Sequence, residues 1–283
     1  MLAMSSRVLQ QYAADASRAA LEAGALLVRY VGKPKTVQTK RSAVDLVTEV
    51  DRAAERRIAR TLHRLHPSFG FFGEEHGQRR SSSAYRWIVD PIDGTNNFVH
   101  GLPLFGVSIG LEHQGTMLVG VIYDPMHQEL FVATKGGGAM LNGRRIHVST
   151  TRRLAESLLS TGFSSRFLTY AQPYWGWFEA FQRHSHGVRR LGSTVISLAS
   201  IAAGRLEGFY ERDLWPWDIA AGMLLVEEAG GRISALDGGP ATLEAGQLVA
   251  SNGHIHAAMV RVIGQTLRHE TTNAASRRRR VPS

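Results

Sequence analysis

Trp87-Ile-Val-Asp-Pro-Ile-Asp-Gly-Thr-Asn-Asn-Phe98 is the stretch on which the reading of this chain turns. Arg86 to Val89, apolar from Trp87 onward, reads as a buried strand that runs into Asp90, setting its carboxylate at the strand end. Pro91 lacks an N–H and imposes an extended or turn geometry, which exposes the Ile92 carbonyl as a ligand. Asp93 follows closely enough to share a cation with Asp90. Gly94 and Thr95 come at a helix start, where unpaired amides and the helix dipole favour an anion. One segment thus sets oxygen ligands beside an anion cradle. An Asp-Pro turn followed by an Asp cap accounts for the same residues, so the decision rests on what surrounds them.

Working outward, two more acidic segments appear. Gly73-Glu74-Glu75 closes a short apolar strand over Phe69 to Phe72 and, alone, reads as a solvated turn. Trp217-Asp-Ile-Ala-Ala-Gly opens an apolar helix, where Asp218 complements the dipole. Its neighbours Trp215, Trp217 and Ile219 are apolar, and an acid among them is costly unless paired or metal-bound. Hard divalent cations take oxygen ligands, and Mg²⁺ keeps several waters and binds phosphate as well. Glu74, Glu75, Asp90, Asp93 and Asp218, on a chain of formal net charge +9, therefore point to metal-assisted phosphate chemistry.

The 283 residues, 43% of them hydrophobic, suffice for one large domain or two small ones. The absence of cysteine excludes disulfides, thiolate nucleophiles and zinc–thiolate sites, and is compatible with a cytoplasmic location. No apolar run reaches a membrane span. The first residues lack signal-peptide character and read as an amphipathic helix, with Val8, Tyr12, Ala16, Ala19, Ala23, Leu26 and Tyr30 three or four apart. Four of the net charges are Arg277 to Arg280, which leaves +5 on the rest, enough to steer anionic substrates. Residues 270–283 read as a solvated basic tail, with nucleic-acid or acidic-lipid contact as the alternative.

The pattern predicts a helix from Thr48 to Leu65, a polar loop from Gln78 to Ser83, and an antiparallel meander from Leu104 to Val148, with a hairpin at Asn142-Gly143. After Thr150 strands and helices alternate: strands near Leu158, Val188, Leu206, Arg232 and Leu248, and helices from Tyr174, Ser193, Trp217 and His254. One packed unit over 1–269 follows, with an α+β half (about 1–150) and an α/β half (about 151–269). Tyr174, Trp175, Trp177, Phe178 and Phe181 share a helix and read as core, with a subunit interface as the alternative. His254 and His256 read as surface residues.

The three acidic segments, in this order, resemble the signature segments of the inositol monophosphatase family. Asp45-Leu-Val-Thr-Glu-Val-Asp51 upstream and Gly230-Gly231 downstream fit as well, and the resemblance covers about residues 8 to 265. It implies a layered αβαβα sandwich of the sugar-phosphatase type and Mg²⁺-dependent hydrolysis of a phosphate monoester by activated water, with no covalent intermediate. By the same resemblance Glu74, Asp90 and the Ile92 carbonyl hold one Mg²⁺, and Asp90, Asp93 and Asp218 a second; a third lies near Glu74. Thr95, with Asp51 behind it, orients the water, while Glu75 takes a supporting role. Phosphate rests on the Gly94 and Thr95 amides, and Asp93 is counted with the substrate-binding residues. Thr194, Glu211, Asp218 and Ser165 meet the substrate, although Ser193-Thr194 also reads as a plain helix cap. The resemblance further implies a homodimer, lithium sensitivity and a small phosphorylated polyol as substrate, inositol 1-phosphate first. Histidinol phosphate and fructose 1,6-bisphosphate are the alternatives within the superfamily. An RNA- or polymerase-associated factor using the basic surface is the alternative of another class.

Overall fold

The structure is a computed structural model that describes residues 5–33, 37–39, 46–79, 81–164 and 171–266. Helix α1 (Ser6–Tyr30) leads to a small ribbon of β1 (Val37–Thr39) and β2 (Leu46–Thr48), then to α2 (Glu49–Leu65). Thr48 caps α2: its hydroxyl accepts from the Val50 amide, and Asp51 bonds back to the Thr48 amide at 2.8 Å. An eight-stranded sheet follows. It contains β3 (Gly70–Gly73), β4 (Gly77–Arg79), β5 (Tyr85–Asp93), β6 (Gly106–His113), β7 (Thr116–Asp124), β8 (Glu129–Thr134), β9 (Gly138–Leu141) and β10 (Arg144–Ile146), with the short α3 (Thr95–His100) after β5. From β6 to β10 it is the expected antiparallel meander; β5 extends it by pairing antiparallel with β6, and β3 joins β5 in parallel. Part of the predicted 78–83 loop is strand β4 at the sheet edge, where the turn after Glu74 folds it back on β3.

The second half supplies β11 (Leu158–Thr161), α4 (Ala171–His184), β12 (Gly187–Arg189), α5 (Thr194–Ala202), β13 (Gly208–Arg212), α6 (Pro216–Glu228), β14 (Arg232–Ser234), β15 (Gln247–Ser251) and a helix, α7, over 256–266. These strands form one sheet in the order β12-β11-β13-β15-β14, parallel on one side and antiparallel around β15.

Alternation along the strands sorts side chains into layers. Val89, Val107, Ile109, Val119 and Val121 face Ala16, Ala20, Leu27, Ala54 and Ile58 of α1 and α2. On the opposite face Ile88 meets Trp217 and Ala220 of α6. α5 and α6 fill the space between the two sheets, packing Leu198, Ile219 and Leu225 between Ile122 and Phe131 on one side and Phe209 and Leu248 on the other. Tyr174, Trp177 and Phe181 of α4 and Met259 and Ile263 of α7 cover the far face of the second sheet. The order is helix, sheet, helix, sheet, helix. Of the aromatic cluster on α4, Tyr174, Trp177 and Phe181 are core as expected, whereas Trp175 is 53% exposed. His256 corrects the surface reading: it is buried, and its ring bridges Ser251 Oγ (2.9 Å) and Ser234 Oγ (2.8 Å). Burial lowers its pKa to about 4, so the bridging ring is neutral. Among the described residues no helix is long and apolar enough to cross a membrane.

α6 approaches the first sheet at Gly110 and Gly120, which pair across β6 and β7. A Cβ on Gly120 would lie 2.5 Å from the Ala221 carbonyl, and one on Gly110 would lie 3.1 Å from the Ala220 Cβ. Ser108 Oγ bonds the Trp217 carbonyl at 3.2 Å and pins the start of α6 to the same strand. Gly120→Ala is therefore expected to destabilise the protein by about 1–3 kcal/mol, the usual range for overpacking. Denaturant unfolding checks this, with Ala133→Gly on the next strand as the reference for ordinary core loss; a Gly120→Ala protein of native stability contradicts the close approach.

Candidate metal and phosphate site

β5 runs further than the sequence pattern suggested, through Asp93 rather than stopping before Asp90. The register against β6 explains why both acids can converge. Asp90 lies opposite Ser108 and Asp93 opposite Gly106, so one extra residue is accommodated in β5. In a regular strand residues three apart face opposite ways; the bulge at Pro91-Ile92 cancels that. Asp90 is 2% exposed, and its Oδ1 accepts the Ile92 amide at 2.9 Å. Asp218, in the first turn of α6, accepts the Trp215 amide at 2.7 Å. Asp90, Asp93 and Asp218 each present an oxygen within 4.8 Å of the others.

Asp93 also accepts the Ser193 hydroxyl and the Val195 amide (3.0 Å) at the start of α5. Ser193 is itself the cap of α5, accepting from the Ile196 amide at 3.2 Å. The cap expected near Thr194 is thus Ser193, and its hydroxyl couples the two halves at Asp93. Asn97, which the sequence reading passed over, makes a second clasp: its Nδ2 donates to Leu104 O (2.6 Å) and Leu191 O (2.8 Å). Gly94 has φ 92°, and a Cβ there would stand 2.9 Å from Leu104 O.

Glu74 follows β3, with its amide on Val89 O at 3.2 Å, and its charge is felt at Asp218. The Glu74–His76 turn is held by a residue not singled out from the sequence. Glu55 of α2 is fully buried; Oε2 accepts the Glu75 amide (2.8 Å), and Oε1 accepts the His76 amide (2.9 Å) and meets His76 Nδ1 (2.7 Å). A signal was present: Glu55 is four residues after Asp51, on the same helix face. Asp51, also buried, caps α2 with Oδ2 and with Oδ1 accepts Thr95 Oγ1 at 3.0 Å; the Thr95 hydroxyl lies equally close to Ile92 O.

Beyond Asp93 a cavity of about 80 Å³ is lined by Gly162, Arg190, Thr194 and Glu211. Thr194 Oγ1 bonds Glu211 Oε2 at 3.3 Å. Gly162 leaves room for the Glu211 carboxylate, which a Cβ at 162 would overlap where it now stands. Arg190, also missed, places a cation near Glu211. Ser165 and Asp45 lie outside the described residues, as do Arg277 to Arg280.

The electrostatics test whether a cation fits. Burial raises Asp93 to about 6, against hydrogen bonds from Ser193, Val195 and Thr194. Burial, then the charges of Asp93 and Glu74, raise Asp218 well above the usual carboxylate range. Burial and the Asp93 charge raise Glu211 to about 8. Three close, desolvated carboxylates cannot all ionise without a compensating positive charge. An all-oxygen donor set is the kind hard divalent cations take.

Residues 8–268 match the Inositol monophosphatase family. The chain belongs to that family. It is 41% identical to an inositol-1-monophosphatase of Rhizobium meliloti (strain 1021), over 87% of this chain and 93% of that one. It is 40% identical to the Nus factor SuhB of Escherichia coli (strain K12), over 93% and 97%. The solved inositol monophosphatase of Anabaena (Nostoc) sp. PCC 7120 superposes with a TM-score of 0.82 at 40% identity, covering 91% of this chain and 96% of its own. Family membership implies a divalent cation, and the acidic cluster is consistent with one.

A pH experiment follows from the raised acids. Asp93 and Glu211 hold protons in the folded, metal-free protein that the unfolded chain releases, since their pKa values rise from 3.8 to about 6 and from 4.5 to about 8. Their stabilising contribution is full below the unfolded values and is lost as pH rises through the folded ones. In chelator the melting temperature is expected to fall between about pH 5 and about pH 8, and Mg²⁺ to offset the fall. A scanning-fluorimetry profile that is flat in chelator and unmoved by Mg²⁺ contradicts this electrostatic account.

Proposed function

We propose that the protein is a phosphomonoesterase that uses Mg²⁺, two to three ions per site, to hydrolyse a small phosphate monoester, with myo-inositol 1-phosphate as its principal substrate. The observation that carries the reading is the convergence of Asp90, Asp93 and Asp218 within 4.8 Å. Glu74, Asp90 and the Ile92 carbonyl would hold one ion, and Asp90, Asp93 and Asp218 would hold a second. When bound, the cations polarise the phosphate, acidify a bound water and neutralise the leaving oxygen. The chain's own part is placement and proton handling. Thr95 Oγ1, between Asp51 Oδ1 and Ile92 O, takes a proton from the attacking water as it gives its own to Asp51. Gly94 and Thr95 receive the phosphate. Glu211, Thr194 and Arg190 meet the hydroxyls of the substrate, with Glu75 supporting the turn.

The names of the relatives support inositol 1-phosphate over histidinol phosphate and fructose 1,6-bisphosphate. A phosphate-release panel over these esters decides: fastest turnover on histidinol phosphate replaces the leading substrate. Asp93→Asn is expected to lower kcat on the order of 10²–10³-fold, the loss typical of one preorganised electrostatic contact, and near-normal turnover removes the two-ion assignment. Lithium sensitivity and a homodimer accompany the reading. Exposed Trp175, beside Phe163 and Phe178, is the surface that favours association.

A second reading has its own observation. α2 shows exposed Arg56, Arg57, Arg60 and Arg64 along a groove with α1, which suits a phosphodiester strand, and several relatives carry the name Nus factor SuhB. Replacing Arg56, Arg60 and Arg64 with Gln should reduce the salt slope of oligouridylate binding by about 2, at ~0.7 per charge. An unchanged slope dismisses the groove as the RNA-binding surface.

A further inference from the structure

Glu74 is not one of the three acids that lie within 4.8 Å of one another; it sits in the turn between β3 and β4. What fixes that turn therefore fixes Glu74 relative to them. The Glu74 amide bonds Val89 O at 3.2 Å, which ties it to β5. The next two amides, those of Glu75 and His76, bond Glu55 Oε2 at 2.8 Å and Oε1 at 2.9 Å. The backbone of Glu74 is thus held from both sides, by the sheet and by a side chain of α2. Gly73 pairs with Gly77 and closes the hairpin around it.

Every hydrogen bond that Glu55 makes among the described residues goes to this turn, the third being to His76 Nδ1 at 2.7 Å. Glu55 is fully buried, and a buried carboxylate stripped of its donors bears its whole desolvation cost. Moving the turn away from Glu55 incurs that cost. Moving Glu55 toward β3 is blocked as well, because its carboxyl carbon lies 2.5 Å from where a Cβ on Gly73 would stand. The turn is therefore stiff, and stiffness bears on the choice of cation. Mg²⁺ demands near-ideal octahedral geometry at about 2.0–2.1 Å, whereas Ca²⁺ accepts six to eight oxygens at about 2.3–2.6 Å in flexible arrangements. A carboxylate that cannot shift suits the smaller ion, and one that can shift or become bidentate suits the larger. We propose that Glu55 is a positioning residue that makes the Glu74 cation position selective for Mg²⁺ over Ca²⁺. It acts only through the backbone of the turn. The proposal rests on Glu74 being a cation ligand, as read above.

The test is calorimetric titration of the whole protein with Mg²⁺ and, separately, with Ca²⁺, read beside the melting temperature. Glu55→Gln keeps the side-chain volume but replaces one acceptor oxygen with a donor. It is expected to weaken Mg²⁺ binding about 10–100-fold, the usual cost of removing a group that orients a metal ligand, and to weaken Ca²⁺ binding less. In phosphate release the half-saturating Mg²⁺ should rise, while KM for the ester at saturating Mg²⁺ stays unchanged. His76→Ala removes one donor, from a side chain that is 45% exposed, and leaves both amide bonds in place. It should move the Mg²⁺/Ca²⁺ ratio the same way by a smaller factor, and it decides the matter where Glu55→Gln does not fold. Unchanged affinity for both ions, or a loss shared equally between them, overturns the proposal; an equal loss with a lowered melting temperature marks a merely structural role. A wild-type protein that takes up no Mg²⁺ sinks the metal reading itself, and the selectivity with it, which no behaviour of the variants alone does.

Discussion

Three carboxylates held within 4.8 Å of one another, one buried and two half-buried, repel each other and resist desolvation. Much of the molecule can be understood as the apparatus that keeps them there. The bulge in β5 turns Asp90 and Asp93 toward the same side. Two glycines on β6 and β7 let α6 sit close enough to deliver Asp218. Amides and a hydroxyl from α5 and the Trp215 amide supply partial positive charge. These groups come from both halves of the chain, so the acidic cluster and the packing of α5 and α6 between the sheets are one arrangement. The hydrogen bonds reduce the electrostatic strain without removing it, and that residual strain favours a cation.

What the sequence revealed follows the range of each effect. The meander was readable because alternation and turn chemistry are local, and the acidic segments because their residue types are unusual in apolar surroundings. The layered fold rested on resemblance, and the layers match it. Long-range contacts were not readable. Ser193 could be seen as a helix cap, but its bond to Asp93 spans 100 residues. Asn97 and Arg190 become informative only once α3 and the β12–α5 turn meet. Glu55 had one local signal, its place four residues after Asp51 on the same helix face, but that spacing does not tell a buried carboxylate from a solvated one on an arginine-rich helix. His256 failed for the same reason: two serines on neighbouring strands make burial tolerable, and neither is predictable as its partner.

Asp51 and Glu55 show how one helix can serve two parts of the site. They lie one turn apart on α2, both fully buried. Asp51 reaches Thr95 in the β5–α3 segment, and Glu55 reaches the turn after β3. α2 therefore fixes the spacing between the Thr95 hydroxyl and the Glu74 turn, while its opposite face carries the arginines. A shift of α2 along its axis would move both at once, which makes this helix the mechanical link between the outer surface and the acidic cluster.

Glu211, Thr194 and Arg190 are supported differently. They line a separate cavity on the second sheet and the start of α5, joined to the cluster through Asp93. Changes at 190 or 194 can reshape that cavity while leaving the β5 bulge and the α6 contact untouched. Glu211 is more constrained, because it is buried and its carboxylate occupies the space a side chain at Gly162 would need. Such a division lets chemistry and substrate choice vary independently. It accounts for the asymmetry in what this chain discloses: the acids point to one kind of reaction, whereas the residues proposed to meet the ester are ordinary ones given meaning only by their position.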